Sequence, residues 1–414
     1  VKQFKQPDGT VKVHHSIRFL LVKKGCIWYN KSVIISGRGN GVQVTVQKAA
    51  LQGFKRVLIT SDIHGHVHLL KRLLDEAAFC DEDALIIVGD LVEKGPSSLD
   101  TIRYVMQLNE KPNVFPLMGN VDLWRLCLLE KDDPENQKEV MRFSRTAVQW
   151  WGSSIVTEMM DELGLDPEQD GKQPGLFKRL RSCFAKELDF IRNLPIVLET
   201  ESFHFVHGGL PHERMDELKK ENPFALLKND DFLNKGLSFE KWVLVGHWPV
   251  ALYNDTFLQH GPVIEKDRHI IAIDGGCGVR GDGQLNLLIT DWEGKRFSHL
   301  SAMDKPMIKV LNAQQPSAYS HNIPYHDPVV ELIKREENWA LVRHHMYEMK
   351  IPAHFLQGDE SQWRCYNMTD YRLPVEPGDE LWLIFEHDGI AYCKKKDVCG
   401  WYEGPYQKIK ETKK

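Results

Sequence analysis

The stretch Val57-Leu58-Ile59-Thr60-Ser61-Asp62-Ile63-His64-Gly65-His66 runs from a short strand signal straight into a polar loop carrying one carboxylate and two imidazoles. The same unit recurs along the chain. Ala84–Val88 is a second short apolar run, ending at Gly89-Asp90, and Val114–Leu117 is a third, ending at Gly119-Asn120. Helix-like segments follow the first two loops, over Val67–Phe79 and Leu99–Leu108. Short apolar runs bounded by turns and alternating with helices predict buried strands in an α/β fold. Residues 122–193 read as helices with a polar break at Asp166–Pro174. Strand character returns at Phe203–Val206, Trp242–Val245, Ile270–Ile273 and Leu285–Thr290.

The loops at these strand ends carry the chemistry. Ser61–His66 offers Asp62 and His64, and Gly89–Pro96 offers Asp90 with Glu93 and Lys94. Gly119–Asp122 offers Asn120, Val206–Gly209 offers His207, and Val245–Pro249 offers His247. Taken singly, an Asp-x-His-Gly is ordinarily a turn, a Gly-Asp ordinarily ends a strand, and a buried His is ordinarily a hydrogen-bonded core residue. Five such loops in this order argue instead for one site. Ligands at strand ends converge on a sheet edge, where they can hold two divalent cations about 3.5–4 Å apart. The expected ligands are Asp62, His64, Asp90, Asn120, His207 and His247, with Asp90 bridging the two cations. Mixed carboxylate and imidazole donors suit Mn²⁺ first, with Fe or Zn²⁺ as alternatives, better than an all-oxygen Ca²⁺ site.

With Ile273-Asp274-Gly275-Gly276-Cys277 added, these motifs resemble the calcineurin-like metallophosphoesterases over roughly residues 55–302. The likeness is to the phosphoprotein phosphatase branch and to its neighbour, the symmetrical diadenosine tetraphosphate hydrolases. The resemblance implies a β-sandwich flanked by helices. It places Asp62, His64 and Asp90 on one cation, and Asp90, Asn120, His207 and His247 on the other. It also implies a bridging hydroxide that attacks phosphorus in line with the departing oxygen. Three positions depart from the family pattern. Glu93 and Lys94 stand where Asp and Arg are usual, and Lys94 can neutralise phosphate only as a point charge without the guanidinium fork. Val121 stands where the family carries the His that protonates the leaving oxygen. His66, His212 and Asp122 are alternative donors. Lys235, or Arg280 in the Gly275–Gly283 loop, is a candidate second phosphate contact.

The expected activity is hydrolysis of phosphate monoesters, at serine/threonine or tyrosine of phosphoproteins. A dinucleoside polyphosphate hydrolase is the alternative, and a metal-binding pseudoenzyme the second alternative. General acid catalysis typically contributes 10²–10⁴-fold. Its loss weighs most on alkoxide leaving groups, less on a phenolate with pKa about 10 or a phosphate with second pKa about 6.

The remaining composition sets limits. The chain has 414 residues, with 27% charged and 42% hydrophobic, as in globular proteins. No apolar run reaches transmembrane length, and Phe19–Val22 is followed by Lys23-Lys24 rather than a cleavage site, so a secretory signal is not expected. Eight cysteines without a CxxC pair fit reduced thiols and a cytoplasmic protein. Residues 1–52 are expected as a basic, β-rich extension and 53–302 as the catalytic body. Residues 1–56 hold eleven Lys/Arg against Asp8 alone, while the whole chain carries −5. A basic surface docked on the acidic body accounts for this, ahead of a patch for nucleic acid or acidic peptides; without a nucleic-acid motif, nucleic acid is not expected as a main partner. The Trp124, Phe143, Trp150 and Trp151 cluster reads as core, or as a lid. Residues 303–335 read as a linker, and 336–414 as a small SH3-like β-barrel, in which Trp401 and Tyr402 either line a peptide groove or close the barrel.

Overall fold

In the computed structural model the described residues are 43–254 and 256–409. The basic extension up to residue 42 lies outside them. From Val44 onward the chain already belongs to the body, because Val44 and Leu51 are buried in its cores.

Two sheets stack face to face. The first has the order β1 (Val46–Lys48), β5 (Val197–Glu199), β6 (Phe203–Val206), β7 (Trp242–Val245), β9 (Ile270–Ala272), β8 (Val263–Glu265). The second runs β11 (Phe297–Ala302), β10 (Leu285–Thr290), β2 (Arg56–Thr60), β3 (Asp83–Val88), β4 (Val114–Leu117). Strands β2, β3 and β4 are parallel, as are β6, β7 and β9. Side chains alternate across each strand. Val57, Ile59, Ile86 and Val88 of one sheet meet Phe203, Phe205, Leu244 and Ile271 of the other. The intervening Leu58, Leu85 and Ile87 face outward. There α1 (Val67–Glu76) and α2 (Ser98–Leu108) cover them with Leu70, Leu73, Ile102 and Val105. Strands covered on both faces read as unbroken apolar runs, which is why they were recognisable. The insertion 120–192 is helical throughout, with α3 (Asn120–Leu129), α4 (Pro134–Trp151), α5 (Ile155–Glu162), α6 (Leu176–Cys183) and α7 (Ala185–Arg192).

The parallel strands of each sheet point their carboxyl ends at one shared edge. The loops after β2, β3, β4, β6 and β7 therefore gather there, as ligand-bearing loops do in open α/β sheets.

The C-terminal third departs from expectation. The stretch 303–335 is not a bare linker, since it holds β12 (Met307–Val310), β13 (Asn322–Ile323) and β14 (Val329–Arg335). Its polar composition misled because Gln314 is buried, with Nε2 donating to the carbonyls of Leu373 and Trp401. Beyond it run β15 (Trp339–His344), β16 (Tyr347–Pro352), β17 (Gln357–Asp359), β18 (Gln362–Arg364) and β19 (Met368–Thr369). The predicted hairpin is β20 (Glu380–His387) with β21 (Ile390–Lys395), followed by β22 (Val398–Tyr402) and β23 (Tyr406–Lys408). These strands form two open five-stranded sheets, β22-β21-β20-β12-β23 and β16-β15-β14-β18-β17, and the pair β13-β19. No sheet among the described residues closes into the expected SH3-like barrel. Trp401 is 6% exposed and packs on Trp339, Phe385 and Tyr392, and Tyr402 is fully buried, so neither lines a groove. No described helix is long and apolar enough to cross a membrane.

A buried polar joint fastens this region to the catalytic body. Arg280 forks Asp282 at 2.9 and 3.0 Å, and the buried Lys394 of β21 donates to the Asp282 carbonyl and to Gln284 Oε1 at 2.9 Å. Gln284 in turn donates to Asp397 Oδ1 at 2.7 Å. Removing one member of a buried charge set strands the others in low dielectric. Asp282→Ala should therefore cost about 3–5 kcal/mol. Glu348→Gln, which breaks a solvent-exposed pair with Arg343, should cost under about 1 kcal/mol. Thermal midpoints of the two variants, measured side by side, check the contrast.

Candidate metal centre

At the shared edge the strands end in strained turns. Asp62, His64, Asp90, Glu93, Lys94 and His247 all have left-handed backbones, with φ between 47° and 66°. A non-glycine residue there costs about 1–3 kcal/mol and persists only where its surroundings enforce it. The turn aims each side chain inward, across the strand end. Interlocking loops hold it, since Asp62 N donates to Gly89 O and His64 N to Asp90 O, each at 3.0 Å. At Gly119 a Cβ would collide with the backbone and carboxylate of Asp90, so glycine is required for this close approach.

All six predicted ligands converge. Asp62, Asp90 and His207 offer ligand atoms within 4.8 Å of one another. His64 Nε2 lies 3.9 Å from Asp62 Oδ1 and 3.6 Å from Asp90 Oδ2. His207 Nε2 lies 3.4 Å from Asp90 Oδ1 and 3.1 Å from Asn120 Oδ1. The His247 ring stands 5.4 Å from that of His207. Asp90 lies between the two imidazole groups, as a bridging carboxylate must.

The imidazoles are set for coordination. His64 Nδ1 donates to Val92 O at 3.1 Å and His207 Nδ1 to Val88 O at 2.7 Å, which leaves each Nε2 facing the carboxylates. His247 is turned the other way, its Nε2 held by Asp230 Oδ1 at 2.7 Å. Fixing the outer nitrogen sets the ring's tautomer and angle, as is usual for metal-binding histidines. Donor atoms on a cation at about 2.0–2.2 Å stand about 3–3.5 Å apart, close to the spacings seen here. The donor set fits two divalent cations.

The electrostatics make the same demand. Burial, then Asp90, lifts the Asp62 carboxyl to about 6, and burial, then Asp62, lifts Asp274 well above its usual range. Burial and Asp90 lift Asp122 to about 7 against three backbone N–H donors, from Gly119, Leu91 and Val92. Against burial, His207 and His64 hold Asp90 far down, and Val121 N at the start of α3 donates to its Oδ1 at 2.8 Å. Burial alone would lower His207, but Asp90 and Asp62 carry it up to about 10. Burial and Lys94 push His64 down to about 3.

Around this centre the remaining expectations divide. Lys94 reaches it, with Nζ donating to His64 Nε2 at 3.1 Å. Arg280 does not; its fork is spent on Asp282 at the C-terminal joint. Lys235 lies on the surface against Asn229. Of the alternative proton donors, Asp122 is an acceptor tying two loops together, and His212 accepts from Arg214 N on the outside. His66 Nδ1 is bound to His64 O at 2.8 Å. Val121 is buried, and Glu93 pairs with Arg125 at 2.7 Å, both side chains 1% exposed. The Arg125 guanidinium lies between the rings of Trp124 and Phe143, at 4.7 and 4.6 Å. Those two aromatics serve Arg125, neither plain core nor lid. Arg125 and Asp230 escaped the sequence reading, because a helix arginine and a loop aspartate carry no signal of what they meet.

The profile described as calcineurin-like phosphoesterase matches residues 55–270. The symmetrical bis(5'-nucleosyl)-tetraphosphatase of Yersinia enterocolitica is 26% identical over 296 residues, which cover 63% of this chain and 96% of the relative. That of Serratia proteamaculans is 28% identical over 295 residues, covering 63% and 99%. Among solved structures, a putative diadenosine tetraphosphatase is 20% identical, with a TM-score of 0.40, covering 63% of this chain and 99% of that one. A cold-active protein-tyrosine phosphatase of a psychrophilic Shewanella is 14% identical, with a TM-score of 0.38, covering 63% and 83%.

Two outcomes follow for the centre. Asp230→Asn should weaken Mn²⁺ binding about 10–100-fold, because it loosens His247 without removing a ligand; calorimetric titration reads it. Cations bind deprotonated donors, and Asp62 takes up its proton below about 6 while His207 holds one higher. Mn²⁺ affinity should therefore rise as pH increases from about 5 to about 8, with protons released on binding. Titrations in buffers of different ionisation enthalpy would reveal that release.

Proposed function

The chain belongs to the calcineurin-like phosphoesterase family, and from that premise we propose that it hydrolyses phosphoanhydrides of the dinucleoside polyphosphate class. Asp62, His64 and Asp90 would hold one cation, and Asp90, Asn120, His207 and His247 the other. When bound, the cations supply Lewis-acid stabilisation of charge on the phosphoryl oxygens and acidify the attacking water.

The protein's own groups do the rest. Lys94, beside His64, places an ammonium charge where phosphoryl oxygens would lie. Asp230 keeps the His247 ring in place. The observation that carries the substrate reading concerns the leaving group. Val121 is 3% exposed and aliphatic where relatives of the phosphatase type carry the proton donor. Glu93, its expected partner, is paired with Arg125. Without that donor, a departing oxygen would leave as an anion. Phosphate, with a second pKa of about 6, does so readily, a phenolate near 10 less so, and a serine alkoxide least. The names of the curated relatives agree with the first of these. Phosphotyrosine in proteins is the second reading, favoured over phosphoserine by the same argument.

The decisive measurement is a set of initial rates with Mn²⁺ on aryl phosphates of graded phenol pKa, phosphopeptides and diadenosine tetraphosphate. Rates should fall steeply as the leaving-group pKa rises. The dinucleotide should outrun phosphoserine by at least about 10²–10⁴-fold, the usual worth of a general acid. A flat dependence would mean that the leaving oxygen is protonated after all, and would remove the basis for the anhydride reading. Faster turnover of phosphotyrosine peptides than of the dinucleotide would move the assignment to protein substrates.

A further inference from the structure

Far along the chain from the metallophosphoesterase centre, a second compact set of donors is built on the turn between β15 and β16. His344 ends β15 and pairs with Tyr347, so His345 and Met346 form a two-residue turn. His345 has φ 54°, in the left-handed region that glycine favours. That twist brings the rings of consecutive histidines to 4.3 Å, so both face the loop ahead of β14. There His345 Nε2 lies 2.7 Å from Asp327 Oδ2. His344 Nε2 lies 3.5 Å from the same oxygen and 2.9 Å from the Asp327 backbone carbonyl. Three side-chain donors, from Asp327, His344 and His345, stand within 4.8 Å of one another, with a main-chain oxygen beside them.

We propose that Asp327, His344 and His345 form a zinc site that pins the β15–β16 turn to the loop entering β14. Two imidazole nitrogens and a carboxylate oxygen are a three-ligand zinc set, and water can complete the tetrahedron. Ligand atoms about 2.0–2.1 Å from zinc stand about 3.3 Å apart, close to the His344–Asp327 spacing. The outer nitrogen of His344 is also engaged, since Nδ1 lies 2.7 Å from His321 Nε2. His321 is itself fixed, its ring stacked on Tyr347 at 4.4 Å and its N–H donating to Asp370 Oδ1 at 2.8 Å. This is the outer support that orients metal-binding histidines. His344 is buried, while His345 and Asp327 are 64% and 42% exposed, so an ion can enter from solvent.

Charge separates this set from a similar one elsewhere. His260, Asp282 and Cys399 are equally close together, but the Arg280 fork already neutralises Asp282. No lysine or arginine pairs with Asp327 among the described residues.

The test is zinc content by mass spectrometry after dialysis of the whole protein against buffered excess Zn²⁺, comparing wild type with His345→Asn and Asp327→Asn. Asparagine tolerates the left-handed turn, so the fold should survive. Each variant should hold one zinc fewer per chain. Zinc should raise the wild-type thermal midpoint by more than that of either variant, with phosphoester hydrolysis at saturating Mn²⁺ unchanged. Equal zinc content in all three proteins would overturn the proposal. Ions at the catalytic centre cancel in the comparison, so failure of that centre to bind would leave this difference intact.

Discussion

Four carboxylates, those of Asp62, Asp90, Asp122 and Asp274, lie at most 2% exposed at one edge of the stacked sheets. Burying so much negative charge is costly unless positive charge and donors are supplied on the spot. The surrounding architecture can be understood as that supply. Parallel strands bring five loops to one edge, the first turn of α3 donates to Asp90, and backbone N–H groups converge on Asp122. Imidazoles provide donors that tolerate either a proton or a cation. Divalent ions would complete the neutralisation at far lower cost than protons shared among four acids.

How the same charges are answered elsewhere separates catalysis from scaffolding. At Glu93 the answer is an arginine held between two aromatic rings, a fixed pairing that opposes the upward push of burial on the carboxyl without cancelling it. At Asp282 it is a second arginine, with a buried lysine beside it, and the result is mechanical: the C-terminal sheets are joined to the body. At Asp62, Asp90, Asp122 and Asp274 no lysine or arginine forms an ion pair with the carboxylate among the described residues; imidazoles face Asp62 and Asp90, and Lys94 reaches His64 beside them.

Much of this was legible in the sequence. Doubly covered strands such as Ala84–Val88 give unbroken apolar runs, and the candidate ligands sit directly after them, so the strands and the residues that gather at their shared edge were legible together. What stayed hidden depends on contacts made across long separations. Arg280 carried no mark of its engagement with Asp282 and the β21 lysine. Arg125 shows no sign in sequence of meeting Glu93. Composition misled at 303–335, because Gln314 looks like a solvated residue yet is buried and donates to the backbone carbonyls of Leu373 and of Trp401 in the edge strand β22. The strands expected around Gly400-Trp401-Tyr402 are present, but no closed barrel is found among the described residues, because local turn and aromatic signals locate strands and not the edges they join.

The left-handed turns at Asp62, His64, Asp90 and His247 have an evolutionary reading. Each is a place where glycine would relax the backbone while removing a candidate ligand. Selection for robustness alone would therefore push these positions toward glycine, and selection for turnover alone keeps them occupied. Were the catalytic need ever relaxed, ligands would be expected to drop out one at a time without loss of the sandwich. Four strained, non-glycine positions around one buried edge are therefore what the backbone would not choose on its own account, and they mark where the fold gives up local stability to place side chains.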